Sequence, residues 1–112
     1  MTTSRAIGYL QQEISGTHEE WDKAQIRRLA ERFGYDLTKI LAFGPEVDRP
    51  IHRVRVAVDR TGAEAVFTPS AEHFDGGEVP ADLMQVADVI TVNDERTYAR
   101  YPTGQLPEFN GA

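Results

Sequence analysis

Three groups of residues have types and spacings that could do chemistry. Glu72, His73, Asp75 and Glu78 sit close together in the chain. Glu13 joins them if two strand ends share the carboxyl edge of one sheet. Carboxylates beside an imidazole can hold a divalent cation, and open parallel sheets place their ligand sites along that edge. The same residues equally make a solvated acidic loop. They follow no strict metal-ligand spacing, so neither a metal nor a cofactor is assigned. The second group is basic: Arg49, Arg53 and Arg60 fall near one face of a helix starting at Asp48, with His52 at its border. Guanidinium groups so arranged can contact phosphate or an acidic partner surface. They can also pair with Glu46, Asp48 and Asp59 as an ordinary charged face. The third group is Arg96, Tyr98, Arg100 and Tyr101, residue types enriched at protein interfaces. Those tyrosines could instead cover the edge of the chain's own core.

Ser15 is the one candidate nucleophile near the first strand, but no adjacent base accompanies it in sequence. Ser15-Gly16 before a helix start reads as loop chemistry. Trp21, close to that start, reads as a packing residue. Gly76-Gly77 belongs to no phosphate-cradling motif, and Glu78 beside it would repel phosphate.

These residues must be positioned by a small molecule. The chain has 112 residues, 40% of them hydrophobic, enough for one packed domain burying about 65% of the surface its unfolded form exposes. No apolar run approaches the ~20 residues needed to cross a bilayer. The first residues lack the pattern of a signal peptide. Cysteine is absent, which excludes disulfides, thiolate zinc sites and thiol nucleophiles. A cytoplasmic protein is expected. Twelve basic against eighteen acidic residues give a formal net charge of −6. Nucleic-acid binding draws on phosphate neutralisation, so this balance disfavours it without forbidding a local basic patch.

Strand and helix patterns alternate along the chain. Residues 6–10 are a short apolar run suited to a buried strand. Thr17 and Glu20 form an S/T-x-x-E capping box for a helix whose inward face is Ile26, Leu29, Ala30 and Phe33, and Gly34 fits its stop. A second strand is expected over 37–42. A helix N-capped by Asp48 follows, with Pro50 in its first turn and Ile51, Val54 and Val58 inward. Strands over 63–68 and 88–92 flank a helix over 80–87. Strands joined through helices imply crossovers and a parallel sheet covered on both faces. Residues 95–101 could make two helical turns before Pro102.

The run Arg5-Ala6-Ile7-Gly8-Tyr9-Leu10, an amphipathic helix containing Gln25, then Phe43 and Asp48-Arg49-Pro50 resemble the catalytic domain of the serine recombinases (resolvases and invertases). The resemblance covers roughly 5–94. It implies that Arg49 corresponds to a phosphate-binding arginine of that family. It also implies where the family's other catalytic groups should lie. The arginine and serine after its Gly-Tyr are replaced here by Gln11 and Glu13. Its later Asp-Arg pair and further arginine are replaced by Ala71, Glu72 and Asp75. Phosphoryl transfer depends on cations clamped around developing negative charge, and these replacements reverse the field. The family's dimer helix would begin near Glu95, and its DNA-binding region has no counterpart expected after Tyr101.

The expectation is therefore a resolvase-like single α/β domain over 1–101, with a four-stranded, mainly parallel sheet and helices on both faces. A disordered tail is expected over 102–112. The expected role is a noncatalytic protein-interaction or regulatory module, with an unidentified protein or a second copy as partner and no membrane. The alternatives are a DNA-associated accessory domain using the Arg49 face, or a metal-dependent enzyme built on Glu13, Glu72, His73 and Asp75.

Overall fold

A computed structural model describes residues 3–101. Its centre is β1 (Arg5–Gln11), whose residues Ala6, Ile7, Gly8, Tyr9 and Leu10 are all buried. A strand apolar on both faces needs neighbours on both sides and cover above and below. It receives all of these. The sheet order is β2-β1-β3-β4-β5, with β2 (Asp36–Phe43), β3 (Ala65–Thr68) and β4 (Asp88–Thr91) running parallel through β1. The four expected strands are thus present in one sheet. A fifth, β5 (Arg96–Tyr98), pairs antiparallel with β4.

β5 corrects the helical reading of 95–101. Glu95 takes a left-handed conformation with φ 50° and donates its N–H to Val92 O at 3.2 Å, reversing the chain within a few residues. A connection that short can only return antiparallel. The turn is held by Thr91, whose hydroxyl donates to the Asp94 carboxylate.

Crossover handedness places the helices. The chain moves from β1 outward to β2 through α1 (Gln12–Ser15), a 3₁₀ turn (Gly16–His18) and α2 (Glu19–Arg32). It then returns past β1 to β3 through α3 (Pro50–Thr61), and on to β4 through α4 (Ala81–Met84). Right-handed crossovers in opposite lateral directions must lie on opposite faces of the sheet. Accordingly Ala6, Leu10, Phe67 and Ile90 pack under Ile26, Leu29 and Ala30 of α2. Ile7, Tyr9, Val66 and Val89 pack under Val54 and Val58 of α3 and Leu83 of α4. Gly8 lies on the α2 side, where a Cβ would come within 2.9 Å of Ile40 Cγ1 and 3.1 Å of Ile26 Cγ2. The absence of a side chain lets α2 approach the sheet closely.

Helix ends follow the sequence unevenly. Gly34, at φ 81°, closes α2 with the expected stop: its N–H reaches Glu31 O at 3.0 Å and Tyr35 N–H reaches Ala30 O at 2.9 Å. The capping box at Thr17 and Glu20 does not form. The chain is already helical from Gln12, and the Glu19 N–H is served by Gly16 O, so no bare helix start exists for Thr17 to cap. Phe33 is the outlier of the inward stripe and stays exposed. Asp48 does not cap α3. The N-cap is Arg49 in a left-handed conformation (φ 48°, ψ 61°), with Pro50 following it. The helix expected over 80–87 is the single turn α4, because the chain must enter β4 at Asp88. No helix among the described residues is long and apolar enough to cross a membrane. The tail expected over 102–112 lies outside the described residues.

Candidate functional site

At the carboxyl ends of β1 and β3 the acidic candidates are not gathered into a site. His73 is 4% exposed and its role is internal. Its Nδ1 accepts the Gln11 backbone N–H at 2.9 Å, so the neutral ring carries its proton on Nε2. Its carbonyl accepts the Tyr9 hydroxyl at 2.8 Å, and that hydroxyl accepts a bond from Gln11 Nε2 at 2.7 Å. Phe74 stacks on Tyr9 with ring centroids 5.3 Å apart. Burial pushes the Tyr9 phenol up to about 12, with the Gln11 bond opposing and the Asp75 charge assisting. Burial likewise holds the His73 imidazole below its ordinary value, against the pull of Asp22 and Glu72. Glu13, Glu72 and Asp75 are exposed. Among the described residues no three His, Asp or Glu side chains are grouped so as to hold a metal ion.

Ser15 has a partner that the sequence did not reveal. It is buried, and its hydroxyl donates to Asp22 Oδ2 at 2.6 Å across the 3₁₀ turn. The crevice of about 320 Å³ beside it is lined by Asp22, Glu72, His18, His73 and Asn93 together with apolar groups such as Ile14 and Trp21, and contains no lysine or arginine. A phosphoryl group would meet Asp22 and Glu72 there rather than a cationic clamp. Trp21, read as a packing residue, lies on the rim of this crevice and is 61% exposed.

The basic candidates are brought together. The return path of α3 covers β1 and leaves the same face of β2 open, because β2 is the edge strand. The result is a cleft of about 470 Å³ between β2 and α3. One wall carries Arg49 at the N-cap of α3, His52 and Arg53 in its first turn, and Arg60 about two turns further on. The opposite side carries Lys39, and half-buried Leu41, Phe43 and Val56 form an apolar floor. Arg53 Nε donates to Asp48 O at 2.8 Å, which holds its guanidinium at the cleft mouth. Arg49 lies 3.9 Å from the Asp48 carboxylate. Among the described residues Lys39, Arg53 and Arg60 have no carboxylate within ion-pair distance. Helical spacing identified Arg49, Arg53, Arg60 and His52, and the family resemblance pointed to Arg49 as well. Lys39, Leu41 and Phe43 were missed: their alternation puts them on one face of β2, but only the strand order leaves that face open.

The C-terminal candidates belong to the domain itself. Tyr101 is buried in the α3-side core, donates its hydroxyl to Ala81 O at 3.3 Å and its N–H to Met84 O at 3.1 Å. The Arg96 guanidinium lies 4.9 Å from the Tyr98 ring centroid. The Arg100 backbone N–H reaches Asp88 Oδ1 at 2.6 Å, with its side chain exposed. This segment closes the far side of the sheet instead of starting a dimer helix. No protein-family model matches this chain, and no curated protein matches it.

Proposed function

We propose that this chain is a catalytically silent, serine-recombinase-like domain that works as a protein-interaction module, taking an acidic surface of a partner protein in the cleft between β2 and α3. The observation that carries this reading is the convergence of Lys39, Arg49, Arg53 and Arg60 over an apolar floor in a chain of net charge −6. Cations concentrated against the overall sign of the molecule, with Asp48 the one carboxylate among the described residues lining the cleft, favour an anionic ligand. The floor of Leu41, Phe43 and Val56 favours one that also presents apolar groups, which a peptide does and a phosphate backbone does not. The silent reading is supported by Gln11, Glu13, Ala71, Glu72 and Asp75 at the positions where the resembled family uses its catalytic groups. The lack of cysteine supports a cytoplasmic setting.

Titration of labelled acidic peptides and of short duplex DNA, each across a salt series, tests this reading. Acidic peptide should bind, and an Arg53→Glu, Arg60→Glu double variant should lose that binding. Duplex binding with a steep salt slope and no peptide binding would replace this reading by the DNA-accessory alternative. Cleavage of supercoiled DNA, or a covalent Ser15–DNA adduct, would overturn the silent reading.

A further inference from the structure

The two edges of the sheet are treated differently. β5 has three residues, Arg96–Tyr98, and its first two are exposed and polar. A short, polar edge is how sheets avoid unwanted pairing. β2 has eight residues, Asp36–Phe43, and among the described residues pairs only with β1. Its pairing slips once, opposite Ala6 and Ile7, and then runs without interruption from Lys39 to Phe43. On the outer side of that run, alternate N–H and C=O groups have no partner strand among the described residues.

Both faces of this edge are hollow. Beyond the α3 cleft, a second cleft of about 480 Å³ lies on the α2 side, lined by Lys23, Arg27, Tyr35, Leu37 and Ile40, with Glu31 and Asp36. The two clefts meet along Lys39, which borders each of them. A strand laid against β2 would send alternate side chains into one cleft and then the other. The α3 cleft sets Lys39, Arg49, Arg53 and Arg60 against Asp48 alone. The α2 cleft has more nearly balanced charge, and Lys23 is already paired with Glu19 at 3.0 Å.

Resting on the reading of the cleft as a partner site, we infer that the outer edge of β2 accepts an extended segment of the partner as a sixth strand, with acidic side chains at every second position facing α3. Main-chain bonds to Lys39–Phe43 provide attachment, and the α3 cleft provides selection, which is the division of labour in strand addition. The regular run is about 16 Å long at ~3.3 Å per residue, so a segment of five or so residues fills it. A second copy of this chain is the wrong occupant. Pairing two β2 edges would bring both sets of cleft cations together, and like charges across strands repel. Lys39 alone would suffice to discourage such self-pairing. It would not require three further arginines on the neighbouring helix.

The test uses a synthetic peptide alternating Glu with Val or Thr, and two derivatives N-methylated at one or the other alternate set of amides. The parent should bind the full-length chain. Methylation of the set that faces β2 should weaken binding roughly tenfold or more, since each blocked donor leaves a carbonyl unpaired, and methylation of the other set should change little. Outer-edge amides within 39–43 should gain hydrogen-exchange protection on binding. If the parent binds, Arg53→Glu with Arg60→Glu abolishes binding, and both methylated forms bind equally, strand addition is wrong and the cleft reading stands. If no peptide binds, both fail. A concentration-dependent dimer that protects the same amides overturns the choice of occupant.

Discussion

The crevice at the carboxyl ends of β1 and β3 and the cleft between β2 and α3 belong to one sheet, yet they use their polar groups in opposite ways. At those strand ends Tyr9, Gln11 and His73 bond to one another, and beside the crevice Ser15 bonds to Asp22. These groups hold the loop after β3 and the turn after β1 against the strands, and they have few bonds left for a ligand. In the cleft, Lys39, Arg53 and Arg60 have no carboxylate partners among the described residues. The difference separates residues that make the fold from residues that the fold merely displays. The first kind cannot be changed without loss of stability, and the second can.

The largest effect expected from this contrast is at Tyr9. Tyr9→Ala removes a fully buried ring that packs on Phe43 and Phe74, together with the hydroxyl that joins His73 to Gln11. A loss of about 3–5 kcal/mol in urea unfolding is expected. A loss below about 1 kcal/mol would mean that the bonded groups at these strand ends do not hold the fold together.

Ser15→Ala is next. It leaves a buried Asp22 carboxylate without its hydroxyl donor, and about 1–3 kcal/mol should be lost. An unchanged melting temperature would free Ser15 for a role outside the fold.

A smaller, pH-dependent effect comes from His73. Burial depresses its pKa in the folded state, so the unfolded chain binds more protons between that value and the ordinary 6.5. Its contribution to stability is therefore complete above about pH 6.5 and declines as pH falls. The physical event is loss of the Nδ1 acceptor for the Gln11 N–H. Melting temperature should fall between about pH 7 and 5 in the parent and less steeply in His73→Gln, whose side-chain carbonyl can still accept. Identical slopes would remove His73 from the account.

The smallest effect is expected in the cleft. Arg60→Glu should shift stability by no more than about 0.5 kcal/mol, because the residue is exposed and has no ion-pair partner among the described residues. A large shift would make Arg60 a structural residue and erase the contrast.

The sheet was legible in the sequence wherever strand identity rests on local pattern. The apolar run at residues 6–10 can only be buried, and Gly34 can only end a helix. β5 was not legible, because three residues carry no period and their pairing depends on the turn at Glu95. The capping box failed for a related reason: Thr17 and Glu20 have the right spacing, but the preceding residues were already helical. Half of the cleft could be read from the spacing of Arg49, Arg53 and Arg60 along one helix. The other half depends on β2 lying at the edge of the sheet, which follows from strand order and not from any property of Lys39, Leu41 or Phe43. The Tyr9–His73 bond joins residues 64 apart in sequence and had no local signal at all.

Arg49 carries a consequence for how variants of this protein would be ranked. Its left-handed backbone, φ 48° and directly before Pro50, is disfavoured for any residue with a Cβ, by about 1–2 kcal/mol. Glycine adopts the same conformation freely. Replacing Arg49 by Gly thus relieves strain and removes one of the cleft's guanidinium groups in the same step. A library sorted by heat resistance would enrich that replacement, whereas, on the proposed reading of the cleft, one sorted by capture of an acidic ligand would discard it. At this one Cα, durability and recognition are opposing objectives, and improving either alone would give a misleading picture of what the residue is for.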